Sequence, residues 1–173
     1  MPGHPIVEHI PRLRRYARAL VGDRYAADDL VQDTLERAWN KFYLWRPGSD
    51  LRAWLFAIMH NVFVNQRALA RRDAQNVSLD ADDAGAAWQI PVRPAQQTRV
   101  ELMEVLREVG RLPVDQRAVL VLAAVEEMRY EEIATVLSIP VGTVMSRLSR
   151  AREKLRRASQ QTAEAPAALK IIK

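Results

Sequence analysis

The chain has 173 residues, a formal net charge of +5, 49% hydrophobic residues and no cysteine. That length accommodates one domain or two small ones, and the missing Cys excludes disulfide frameworks and thiolate-bound zinc. No apolar run approaches the roughly 18 residues that span a bilayer, so no membrane insertion is expected. The first twenty residues place Glu8 and several arginines where a signal peptide needs an apolar stretch, which argues for the cytoplasm.

Helical periodicity dominates the chain, and no alternating strand pattern stands out. The first helix is expected over residues 5–21, with Ile6, Ile10, Leu13, Ala17 and Leu20 on one face and Gly22 ending it. Asp23 caps a second helix expected to run to about Trp45, with Leu30, Leu35, Ala38, Trp39 and Phe42 apolar. Its polar side carries Asp29, Gln32, Asp33 and Glu36 at three- and four-residue spacing, hence on one face. Periodicity leaves two readings of that face: the solvated side of a core helix, or a docking surface for a basic or polar protein partner.

Residues 46–50 form a loop by composition, and Ser49 or Asp50 caps a third helix expected over about 51–71. Asn61, Asn65 and Arg67 lie near one face of it, and amides beside aromatics and arginine suit unpaired bases. Arg71 and Arg72 suit phosphates. Nine of the eleven aromatics lie in residues 1–63, which gives the first half its own core. Periodicity is lost over residues 73–97, where Asp80, Asp82, Asp83, Gly85, Pro91 and Pro94 read as a flexible linker.

Helical pattern returns at about 98–110, 114–127, 130–137 and 141–158, and the tail 159–173 is expected to fray. The segment YEEIATVLSIPVGTVMSRLSRAREKLRR (130–157) has the marks of a helix-turn-helix. Ala134 is small enough for two helices to cross, Ser138-Ile139-Pro140 breaks the chain, and Val144 seats the second helix on the first. The outer face then offers Thr143, Ser146, Arg147, Ser149, Arg150 and Lys154, with hydroxyls and arginine for base edges and later cations for phosphates. An ordinary helical hairpin with a solvated face is the alternative, but seven cations against three acids over residues 129–158 exceed what solubility requires. The expected fold is all-α: two small helical domains on a flexible linker, the second with a helix-turn-helix.

Enzymatic chemistry finds no anchor. The three histidines are His4, His9 and His60, and the chain lacks HExxH and a glycine-rich phosphate loop. Neither a cofactor nor a metal is expected.

The stretches DDLVQDTLERAW, LRAWLFAIMHN, LPVDQRAVLVL and YEEIATVLSIPVGTVMSRLSRAREKL carry a resemblance. Residues of about 8–72 resemble the second conserved region of bacterial sigma factors, and about 98–158 the fourth. With nothing between them, the chain resembles the extracytoplasmic-function (ECF) group of the sigma-70 family. The wording RPGSDLRAWLF is similar to the general-stress subgroup of alphaproteobacteria.

The resemblance implies domains at 1–72 and 98–158, a linker at 73–97 threading toward the RNA exit path, and a tail at 159–173. It implies that Asp29, Gln32, Asp33 and Glu36 dock on the clamp of core RNA polymerase. Ser49, Asn61, Asn65, Arg67, Arg71 and Arg72 would hold the melted −10 element, with one base flipped out. Thr143, Ser146, Arg147, Ser149, Arg150 and Lys154 would read the −35 element of promoter DNA as duplex. An anti-sigma factor would cover these surfaces. Met145 stands where many relatives have Lys, removing one expected DNA contact, and Leu51 and Pro47-Gly48 also depart from the family pattern. A stand-alone helix-turn-helix regulator is the alternative; it needs neither the acidic face nor Asn61 and Asn65.

Overall fold

Caps and chain breakers set the observed boundaries. The computed structural model describes residues 5–76 and 105–164, with side chains over 5–73 and 105–160. A 3-10 turn at Val7–His9 precedes helix α1 at Ile10–Val21, so the α-helix begins later than residue 5, with Pro11 in its first turn. Gly22 ends α1 at φ 77°, and its N–H reaches the Arg18 carbonyl at 2.8 Å. Helix α2, Arg24–Asn40, starts where the Asp23 carboxylate accepts from Ala26 N at 2.8 Å. It stops five residues short of Trp45 because the chain turns back through a 3-10 segment, Phe42–Leu44. Phe42 there stacks on Trp45 at 5.4 Å and meets Trp54 edge-on at 6.4 Å.

Asp50 is the cap of helix α3, Leu51–Asn76, accepting from Ala53 N at 3.1 Å. Ser49 instead donates to the Arg46 carbonyl at 2.7 Å and closes the loop. Helix α3 outruns its expected end at 71 and enters the expected linker, since residues 72–76 include no Gly or Pro to stop it. The remainder of that linker, from residue 77, lies outside the described residues.

In the second half, residues 105–110 are helical (α4), followed by α5 at Val114–Ala124, α6 at Tyr130–Leu137 and α7 at Val141–Glu164. Helix α7 extends past 158 through Ala158 and Ala163, good helix formers. The last nine residues of the expected tail lie outside the described residues. Among the described residues no strand occurs.

The α6–α7 break confirms the helix-turn-helix, with one unusual residue. Ser138 adopts the left-handed conformation at φ 54°, and Ile139 N–H reaches back to the Ala134 carbonyl at 3.0 Å. A side chain in that region costs about 1–2 kcal/mol that glycine avoids, partly offset by glycine's freedom in the unfolded chain. Ser138→Gly is therefore expected to stabilise the protein by about 0.5–1 kcal/mol, raising Tm by roughly 1–4 °C in a thermal circular-dichroism melt. An unchanged or lower Tm would show that Ser138 bears no strain.

The core runs through both halves. Leu13, Tyr16, Leu20, Leu30, Leu55, Phe56 and Met59 are buried together, with Tyr16 and Phe56 edge to face at 5.2 Å. Val119, Leu122, Ile133, Val144 and Leu148 continue the same buried cluster, because α1 packs on α5 and α3 on α6. The two halves are thus docked. At the junction the α5–α6 turn bends through Glu127, φ 53°, and turns Glu126 inward to 2% exposure. Arg15 pairs with its Oε1 at 3.0 Å, Arg12 lies 3.8 Å from Oε2, and Arg52 donates to its carbonyl at 2.7 Å.

Candidate functional site

Three faces left outside this core hold the side chains that the sequence singled out. On α2, Asp29, Gln32 and Glu36 are exposed, as their spacing requires. Asp33 is half-buried and accepts from Gln66 Nε2 at 2.7 Å, which ties α2 to α3. Gln32 and Glu36 line an open groove between α1 and α2 together with Ile10, Val31, Leu35 and Trp39. Arg14 and Asp28, 3.6 Å apart, also line it. Trp39, one of the apolar positions named on this helix, is 59% exposed. Its spacing of three from Glu36 and seven from Gln32 was the available signal, since those offsets share a helix face. The groove offers apolar floor and carboxylate rim together, which suits a partner presenting basic and apolar side chains.

Helix α3 carries the second face. Asn61 and Asn65 are exposed one turn apart, and Arg72 falls on the same stripe at about 100° per residue. Arg67, expected on the face of Asn61 and Asn65, falls on the far side of the helix, about 160° from Asn65 at about 100° per residue, where its guanidinium lies 5.5 Å over the Phe63 ring; Arg71 lies one turn beyond Arg67. Ser49 lies in the loop before α3, whose first residue, Leu51, is roughly 15 Å along the axis from Asn61 at about 1.5 Å per residue, so these six residues are spread along and around the helix rather than gathered in one pocket. Tyr43, 81% exposed, and Leu44 stand in the turn before the loop, and sequence reasoning passed over both.

The third face belongs to α7. Val144, Leu148 and Ala151 are buried, while Ser146, Ser149, Arg150 and Lys154 are exposed and Thr143 is half-buried. Ser146 Oγ donates to the Thr143 carbonyl at 3.1 Å. Arg147 departs from the expected outward set. Its side chain is 27% exposed and turned toward α5, where Nη2 meets Asp115 Oδ2 at 3.0 Å. Glu153 gathers Arg156 at 3.0 Å and Arg157 at 2.8 Å, and these bonds hold its carboxyl below the usual range.

His60 lies where α3 meets the second half. Burial lowers its pKa below the ordinary histidine value, with Asp115 opposing that shift and Arg147 adding to it. Tyr16 Oη lies 3.5 Å from His60 Nδ1, and burial pushes the Tyr16 hydroxyl far up, so it stays protonated. Because the folded chain favours the neutral ring, the unfolded chain takes up the proton first, and stability falls as pH drops below about 6.5. His9 shifts in the same direction, mainly by burial and then by Arg12. His60→Gln is expected to flatten the fall in Tm between pH 7 and 5, leaving the His9 part. A slope identical to the parent's would acquit His60.

Two family descriptions match the chain: residues 6–60 match "Sigma2 domain of PhyR" and residues 102–155 match "Sigma-70, region 4". The ECF RNA polymerase sigma factor EcfG of Rhodopseudomonas palustris is 37% identical over 150 residues, covering 87% of this chain and 80% of that protein. The sigma factor RpoE of Bartonella quintana, solved with the anti-sigma factor NepR, superposes with a TM-score of 0.74 at 32% identity, covering 90% of this chain and 94% of that one. CnrH, solved with the cytosolic domain of CnrY, gives a TM-score of 0.60 at 29% identity over 92% and 86% of the two chains. With identity at this level spanning both docked halves, the chain belongs to the ECF RNA polymerase sigma factors of the sigma-70 family.

Proposed function

We propose that the chain binds core RNA polymerase in the cytoplasm and directs it to promoters as a specificity subunit without enzymatic activity. The observation that carries this reading is the α1–α2 groove with Gln32, Glu36 and Trp39, which a regulator acting on duplex DNA alone does not need. In this reading residues 1–72 form the unit that docks on polymerase and engages the −10 element, 73–97 connect the halves, 98–158 read the −35 element and 159–173 are a tail.

The roles divide by chemistry. Gln32 and Glu36, with Asp29 beside them, engage the clamp, and Asp33 supports that face through Gln66. Asn61 and Asn65 hydrogen-bond unpaired bases of the −10 element, Ser49 shapes the loop beside them, and Arg67, Arg71 and Arg72 follow the strand. Ser146 and Ser149 face the −35 base edges, Arg150 and Lys154 follow phosphates, and Thr143 and Arg147 position α7 from its flank. The structures of RpoE with NepR and of CnrH with CnrY support control by an anti-sigma factor.

Titrating labelled full-length protein with purified bacterial core polymerase, and with promoter duplex alone, tests this. Submicromolar binding to core with weak duplex binding is the expected result. Tight, sequence-specific duplex binding with no affinity for core would leave a stand-alone regulator instead.

A further inference from the structure

The outward surface of the first two turns of α7 is uncharged. Gly142, Met145, Ser146 and Ser149 are exposed there, and the only cation in residues 141–149, Arg147, is held by Asp115 at 3.0 Å. Met145 projects about 100° around the helix from the buried Val144 and is 54% exposed. It lines an open cleft with Leu148 and Tyr130, which supply apolar surface, with Ser149, and at the far end with Arg152 and the Glu153–Arg156 pair, 3.0 Å apart. Gly142 adds a second observation: a Cβ built there meets nothing within 4 Å, so the chain's own packing does not require the missing side chain. A helix start with no side chain there lets an outside surface come close to the backbone.

A major-groove edge presents one apolar group, the thymine 5-methyl, whereas guanine is read chiefly by arginine or lysine. Resting on the −35 reading above, we propose that Met145 is a specificity-determining residue that packs on a thymine methyl of the −35 duplex. Ser146 and Ser149 flank it and hydrogen-bond neighbouring base edges, while Arg150 and Lys154 supply phosphate contacts common to all sequences. The chain thus discriminates at that base pair by methyl burial.

The experiment uses full-length protein assembled with core polymerase. Duplexes are first selected from a library randomised upstream of a fixed −10 element. Each selected thymine is then replaced by deoxyuridine, which removes only the methyl. The parent is expected to bind thymine about fourfold tighter than uracil at one position or more, the effect of one buried methyl-sized group. M145A should bind both equally, and M145K should select guanine there. A parent that binds thymine and uracil alike at every position overturns the proposal, as does M145A keeping the preference. Failure to select any upstream sequence would overturn the −35 reading itself, and the two failures are therefore separable. Met145 is exposed, so its variants fold as the parent does, which circular dichroism checks.

Discussion

Glu126→Lys is expected to part the two halves of the chain. The native carboxylate is buried between α1 and the α5–α6 turn, with Arg15 at 3.0 Å and Arg12 at 3.8 Å. Lysine would set a third cation against two guanidinium groups. Removing one partner from a buried pair costs roughly 3–5 kcal/mol, and the exposure of Arg12 and Arg15 places this case toward the low end. The Arg52 bond to the Glu126 carbonyl is independent of the side chain and limits the loss further. Small-angle scattering reads the outcome directly. A compact chain of this length has a radius of gyration of about 16 Å, and parting adds several Å. Helix content should stay constant, since each half keeps its own buried residues. Adding Arg15→Glu should restore part of the compaction, a coupling that contact predicts and general destabilisation does not. A radius unchanged by Glu126→Lys would show that apolar packing alone holds the halves.

The second large effect is expected at the α1–α2 groove. Trp39 is mostly solvent-exposed, so Trp39→Ala should leave the helices intact. Buried aromatic anchors at interfaces are worth about 2 kcal/mol or more, which is roughly 30-fold in affinity. Glu36→Arg adds charge repulsion against a basic partner, and the double variant should bind core polymerase over a hundredfold more weakly. Asp33→Asn is the informative control, because an amide oxygen still accepts from Gln66 Nε2. It should bind core as the parent does. If it loses more than the double variant, the docking surface lies toward Asp29 and Asp33 instead of the groove.

What the sequence disclosed and what it hid divide by range of interaction. Gly22, Asp23 and Asp50 act within one helical turn and the Ala134–Val144 pair across one tight connection, so their roles were legible and the structure agrees. Ser138 takes a position where glycine is expected, and the backbone adopts the left-handed turn regardless. The misread features all depend on distant partners. Arg147 looked outward on a helical projection, yet Asp115, 32 positions earlier, draws it toward α5. Asp33 belonged to an acidic stripe until Gln66 on another helix reached it. Trp39 stood among the apolar positions of α2, but α1 leaves it at the lip of a groove. Glu126 carried no local signal, since only the docking of α5 on α1 brings its arginines within reach.

That docking has a consequence for reach and for apparent affinity. Elements centred near −10 and −35 lie about 25 base pairs apart, roughly 85 Å at about 3.4 Å per pair. A compact chain of this length is about 40 Å across. On the reading proposed above, one docked body cannot touch both elements, so promoter binding requires the halves to part. Any partner that requires the separated form binds more weakly by the fraction of chains already separated: with one chain in a hundred open, about a hundredfold. On that reading the contacts at Glu126 set a concentration threshold for polymerase, and substitutions there are expected to shift it although Glu126 itself is buried away from the three exposed faces.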